Sequence, residues 1–167
     1  TLTPPTLVVL NVDNLAVAAL RLAAPNVIYF GLSDPTPALS ELPHAADSKH
    51  CRSCGSPLTY DVVYLGHLGH WRCESCGSHR PTPIVTATAV TLHGLSGATV
   101  TISTPDGPVS ARLSLPGLHN VYNATAAAAA AHALSISPDR ISEALAHTQA
   151  AFGRSERVTV RGREVVL

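Results

Sequence analysis

Leu7-Val-Val-Leu-Asn-Val12, ended at once by Asp13-Asn14, is the stretch that decides the fold class. A run so nearly apolar on both alternating faces suits a strand buried inside a parallel sheet. Asp13 then reads as the cap of a helix over residues 14–24, and Asn26-Val-Ile-Tyr-Phe30 reads as a second strand. Strand, helix, strand in so short a space is a βαβ unit, so the two strands run parallel. Polar groups at the carboxyl end of the first strand, here Asn11, Asp13 and Asn14, are expected to face a ligand crevice. The class is α/β.

Working outward, residues 31–49 are rich in Pro and Ser and read as a linker, while Pro81 and Pro83 close the segment that follows. Residues 50–80 are therefore an insertion between residues 1–49 and 81–167. Three β-rich stretches come next, Ile84 to Leu92, Ala98 to Ser103 and Val109 to Leu115, with turns at Gly94, Gly97 and Pro105-Asp-Gly107, which predicts an antiparallel meander. An alanine-rich helix is expected from His119 to about Leu134 and a second from Asp139 to about Gln149, with Pro138 at its first turn. Val158-Thr-Val160 and Glu164-Val-Val-Leu167 across Arg161-Gly162 read as a hairpin.

The insertion carries Cys51-Arg-Ser-Cys54-Gly and Cys73-Glu-Ser-Cys76-Gly, two units separated by 18 residues. That is the spacing of a four-thiolate zinc ribbon. Two cysteines three apart turn both sulfurs to one metal only on a tight knuckle, and Gly55 and Gly77 supply the permissive backbone behind each pair. The alternatives are two disulfides or free buried thiols, or one of His50, His67, His70 and His79 replacing a cysteine. Four thiolates complete a tetrahedral zinc and leave no place for water, so the expected role of Zn(2+) is structural. Tyr60, Tyr64 and Trp71 fall in the same stretch and are expected to form the small core such a unit otherwise lacks, a nucleic-acid stacking platform being the alternative.

The 167 residues include 11 basic and 11 acidic side chains, with a formal net charge of zero. Bulk charge thus lacks the basic footprint of a nucleic-acid or anionic-membrane binder. No apolar run approaches the roughly 20 residues of a membrane-spanning helix, so the chain reads as soluble. There is no Met and a single lysine, Lys49, so the chain is expected to be a piece of a longer one. The excess of Arg over Lys points to a GC-rich bacterial genome.

Leu115-Pro-Gly-Leu-His-Asn-Val-Tyr-Asn-Ala-Thr-Ala126, with Gly153-Arg-Ser-Glu156 downstream and Leu10-Asn-Val-Asp-Asn14 early on, resembles the second half of the central domain of the Mur ligase family. With a four-cysteine ribbon inserted there, the chain is similar to the family's MurT-type subunits of lipid II isoglutaminyl synthase, over essentially its whole length. The resemblance implies part of a P-loop-type α/β domain. It also implies an ATP- and Mg(2+)-using carbon-nitrogen ligase of peptidoglycan biosynthesis. By the same resemblance a stem-peptide D-glutamate of lipid II is activated as an acyl phosphate and amidated with ammonia from a GatD-like glutamine amidotransferase subunit, in a cytoplasmic location at the inner face of the membrane. A carboxylate resists nucleophiles until one oxygen becomes a phosphate leaving group.

By that resemblance His119 and Asn120 match the family's adenine-proximal pair, Asn123 matches the Asn one turn on, and Arg154 matches an arginine near the nucleotide phosphates. An Asn amide suits adenine because it pairs with N6 and N7 together. The plainer alternatives are a helix cap for His119 and Asn120 and a surface ion pair for Arg154 with Glu156. Where the family reads Asn-x-Asp-Asp-Pro, this chain has Asn11-Val-Asp13-Asn14-Leu15. The second acid is missing, which leaves two readings of Asp13: a magnesium or ribose ligand as the resemblance implies for the pair, or the plain cap of its helix. Lys49 sits between Ser48 and His50 with no Gly-rich turn before it, so there is no P-loop here. No catalytic residue is assigned, and this segment alone is expected neither to hydrolyse ATP nor to amidate lipid II. A zinc-ribbon protein-binding module is the competing reading.

Overall fold

Parallel pairing of β1 (Leu7–Asn11) with β2 (Asn26–Leu32) runs from Leu7 opposite Asn26 to Asn11 opposite Phe30. The computed structural model describes residues 6–20, 26–41, 48–149 and 157–166. Between the two strands, α1 (Leu15–Ala18) is shorter than the helix expected over 14–24, of which residues 21–24 lie outside the described residues. Its cap is Asn14 and not Asp13: the Asn14 Oδ1 accepts from the N–H groups of Ala16 and Val17 at 2.9 and 3.1 Å. Asp13 is drawn off by a stronger demand, described below.

The third strand of the sheet, β5 (Val85–Leu92), lies parallel to β2, with Phe30 opposite Val85. Parallel neighbours require a long return of the chain. Here the return contains the cysteine ribbon, built on the hairpin of β3 (Thr59–Val63) and β4 (Gly69–Arg72). From β5 the chain turns into antiparallel β6 (Ala98–Thr104) and β7 (Gly107–Leu113), the expected meander. One mixed five-stranded sheet results, in the order β1-β2-β5-β6-β7.

The alanine-rich segment forms α2 (Leu118–Ala133), which lies across one face of that sheet, and α3 (Pro138–Ala146) packs beside it against β7. Alanine is the best helix former and lets a helix axis approach a sheet closely. Ala124, Ala128 and Ala129 accordingly meet Val85, Val100, Ile102 and Val109 in the main core. Buried Thr125 satisfies its hydroxyl on the Val121 carbonyl at 2.8 Å. The last described element is the hairpin of β8 (Arg157–Val160) and β9 (Arg163–Val166), turning on Arg161 and Gly162, both at positive φ.

Of the ribbon aromatics, Tyr60 packs with Leu58 on Trp71 as expected, but the cluster is completed by α1 and Tyr64 leaves it for the main core. Tyr64 is fully buried in the main core, and Trp71 packs with Leu15 and Ala18 of α1 while its Nε1 donates to the Val12 carbonyl at 2.9 Å. So small a unit cannot bury two large rings within itself, and it uses the apolar surface of the domain that carries it.

Candidate functional site

Each cysteine pair sits on a knuckle of the same design. The Gly55 N–H returns to the Cys51 carbonyl and the Gly77 N–H to the Cys73 carbonyl, at 2.8 and 3.0 Å, with the glycines at φ +77 and +74. A side chain would be strained there. The four sulfurs lie within 4.8 Å of one another. Cys51 Sγ is 3.6 Å from Cys76 Sγ, and Cys54 Sγ is 3.5 Å from Cys73 Sγ. These separations exceed a disulfide, about 2.05 Å. They are close to the edge of a tetrahedron with metal–sulfur bonds of about 2.3 Å, roughly 3.8 Å.

The sulfurs are prepared unequally. Backbone N–H groups of Ser53 and Cys54 draw the Cys51 thiol down to about 6. The hydroxyl and N–H of Ser56 lower that of Cys54. Cys73 receives the Cys76 N–H, yet burial and its thiol neighbours Cys54 and Cys76 carry it up to about 11. A divalent cation suits this set, because it takes all four as thiolates and cancels their mutual repulsion. Of the four histidines that are candidate replacement ligands, two are engaged elsewhere: His70 Nε2 lies 2.8 Å from the Leu32 carbonyl, and His79 Nδ1 lies 2.9 Å from that of Gly77.

At the carboxyl ends of β1 and β2 the expected open crevice is filled by the ribbon. Asn11 turns back to accept from the Asp13 N–H at 2.9 Å, and Asn14 caps α1. The Gly69 N–H of β4 donates to the Asp13 carbonyl at 3.0 Å. Asp13 itself is fully buried. Its Oδ1 accepts from Arg80 Nε at 2.5 Å, and its Oδ2 from the Leu32 N–H and the Tyr122 hydroxyl, both at 2.8 Å. Arg80 Nη2 also donates to the Leu32 carbonyl at 2.9 Å. A buried carboxylate needs a cation and hydrogen bonds, and this one has both from the chain itself. The Arg80 guanidinium supplies the positive charge at Oδ1.

Gly31 makes room for this arrangement. A Cβ there would lie 2.8 Å from Arg80 Nη2 and 2.9 Å from Asp13 Oδ2. Neither Arg80 nor Tyr122 was marked by the sequence. The available signal was a lone acid at the end of an apolar run, facing one basic residue at the ribbon's exit.

His119, Asn120 and Asn123 come together on the first turns of α2. The cap there is Gly117, and neither His119 nor Asn120 plays that part. Asn120 Nδ2 donates to the Pro116 carbonyl at 2.8 Å, and Asn123 Nδ2 to Asn120 Oδ1 at 3.3 Å. The two amides, with Ser114 and Thr148, supply the polar lining of a cleft of about 150 Å³ whose other walls include Leu113, Leu115, Ala124 and Leu145. Apolar walls with a few fixed polar groups are what a planar heterocycle requires. Arg154 and Glu156 lie outside the described residues. Among the described residues no helix is long and apolar enough to cross a membrane.

No family model matches the chain. Over 145 residues, 86% of its length, it is 30% identical to the MurT subunit of the glutamine-hydrolysing lipid II isoglutaminyl synthase of Streptococcus pneumoniae, covering 31% of that protein. It is similar in structure to a pseudomurein peptide ligase type C from Methanothermus fervidus, with a TM-score of 0.75, 35% identity and coverage of 90% of this chain and 29% of that one. MurF from Acinetobacter baumannii shares the fold, with a TM-score of 0.61 at 22% identity over 99% of this chain and 26% of that one. The chain thus spans less than a third of the length of the curated relatives it matches.

Proposed function

The chain belongs to the Mur ligase family, and on that premise we propose that it is the ribbon-bearing part of the nucleotide-binding domain of a lipid II-amidating ligase. Asn120 and Asn123 hold the adenine edge of ATP against Leu115 and Ala124, with His119 beside them, and the family likeness assigns Arg154 a role at the phosphates. Cys51, Cys54, Cys73 and Cys76 hold a structural Zn(2+), which ties the two knuckles together and takes no part in the chemistry. ATP with Mg(2+) activates the D-glutamate α-carboxylate as an acyl phosphate, and ammonia supplied by a GatD-like glutaminase displaces the phosphate to give D-isoglutamine. The phosphate-holding lysine and the catalytic groups are not among the residues of this segment.

The observation that supports the nucleotide reading is the pair of Asn amides set 3.3 Å apart on the wall of an apolar cleft. Support for lipid II as substrate comes from the likeness to the Streptococcus pneumoniae subunit, which extends over 86% of this chain. The test is ATP-dependent amidation of lipid II by the full-length protein, supplied with glutamine and a GatD-like subunit, beside an Asn120→Ala variant. Isoglutamine formation that depends on Asn120 is the expected result. ATP turnover by the 167-residue chain alone that survived Asn120→Ala would contradict the proposal.

A further inference from the structure

We propose that Asp13 is a positioning residue through which the cysteine ribbon sets the Asn120–Asn123 face of α2. The proposal rests on the reading of that face as the adenine wall. Asp13 joins three parts of the chain that are distant in sequence. Arg80 comes from the ribbon's exit, 67 residues away, Leu32 from the end of β2, and Tyr122 from α2, 109 residues away. Arg80 is four residues past Cys76, and its own N–H is tied to the Trp71 carbonyl of β4 at 2.9 Å. The second knuckle therefore sets where the guanidinium stands.

Tyr122 is the other end of the link. At about 100° per residue, Asn120 and Asn123 share one side of α2, and Tyr122 points away from it toward the sheet. Burial, and then the charge of Asp13, push the Tyr122 phenol far above its ordinary value, so it stays a donor. Its ring meets the edge of Tyr64 at 6.4 Å, and Tyr64 meets His70 of β4 at 5.5 Å. The start of α2 has no side-chain cap of its own. Leu118 and Val121 seat its first turns in the core, and among these turns Tyr122 is the residue whose polar group reaches the Asp13–Arg80 pair. With the metal gone, the knuckle loosens, Arg80 leaves Asp13, and the hydroxyl of Tyr122 loses a fixed acceptor. Metal and adenine affinities are then linked, and the linkage is reciprocal.

The test is amide hydrogen exchange on the zinc-loaded and chelated chain, with wild type, Tyr122→Phe and Arg72→Ala compared. Expected is exchange about tenfold faster at residues 118–126 on chelation, with Val100, Ile102 and Val109 of the sheet still protected. Zinc-loaded Tyr122→Phe should show the faster exchange at 118–126 already and respond little to chelation. Arg72→Ala, whose guanidinium pairs at the surface with Asp61 and Glu74, should behave as wild type. Protection at 118–126 that is indifferent to chelation, or a Tyr122→Phe protein that responds as wild type does, would overturn the proposal. Should chelation unfold the whole chain, zinc-loaded Tyr122→Phe decides, because a loss confined to 118–126 supports the link and no loss, or a uniform one, refutes it. Adenosine titrations followed at the Asn123 side-chain amide add the functional readout: about fivefold weaker binding in zinc-loaded Tyr122→Phe, in the range of ordinary coupling. If Asn123→Ala binds adenosine as wild type does, the adenine reading fails by itself while the exchange result stands.

Discussion

Replacing Arg80 by Met removes the cation from a carboxylate that has no access to water. Asp13 is 0% exposed and the Arg80 side chain 12%. The variant keeps the Leu32 N–H and the Tyr122 hydroxyl on Oδ2 but leaves Oδ1 facing a thioether. A unit charge pair near 4 Å is worth about 4 kcal/mol at the effective dielectric of protein sites. Breaking one side of a buried pair costs about 3–5 kcal/mol in practice. Arg80→Met should therefore lose about 3–5 kcal/mol of unfolding free energy, a fall in melting temperature of roughly 10 °C for a chain of this length. Urea unfolding in excess zinc, followed by circular dichroism and Trp71 emission, measures it while holding the metal contribution constant. Asp13→Asn with Arg80→Met removes both charges and should recover about 2 kcal/mol of the loss, because no unpaired ion stays buried. A loss under about 1 kcal/mol for Arg80→Met, or strict additivity in the double variant, would show that the pair does not anchor the ribbon.

Gly31→Ala puts a Cβ 2.8 Å from Arg80 Nη2 and from Val12 Cγ2, and should cost about 1–3 kcal/mol by overpacking, read by the same unfolding curves. Cys73→Ser should abolish stoichiometric zinc binding, measured by metal analysis. It should also shift the emission of Trp71, the single tryptophan, to longer wavelength as the ring leaves Leu15 and Ala18. Unchanged emission would mean that the ribbon docks without its metal. Asn123→Ala removes an exposed amide and should leave the melting temperature unchanged while weakening adenosine binding about two- to tenfold, the worth of one hydrogen bond, in a calorimetric or NMR titration.

Local pattern was enough for much of the fold. The apolar run from Leu7 and the strand from Asn26 carry their parallel pairing in composition and separation, and the alternation after Pro83 carries the antiparallel meander. The two cysteine pairs specify their cluster by spacing and by the glycine behind each knuckle. All of these depend on residues near one another in the chain, where periodicity and turn chemistry act. Asn120 and Asn123 are proposed as adenine contacts only through the family resemblance, since a His-Asn pair after Pro-Gly also reads as a helix start.

Tertiary structure decided what became of Asp13 and of the ribbon. As a local signal Asp13 is a helix cap. In the folded chain Asn14 takes that place, and Asp13 turns inward to Arg80 and Tyr122. Likewise Tyr64 and Trp71 look like the contents of a private core, yet each is buried against the domain that carries the ribbon. The physical reason is the same in both cases. A buried charge or a large ring is stabilised by whichever partners the completed fold brings to it, and those partners are fixed by packing across long stretches of chain rather than by the residues alongside.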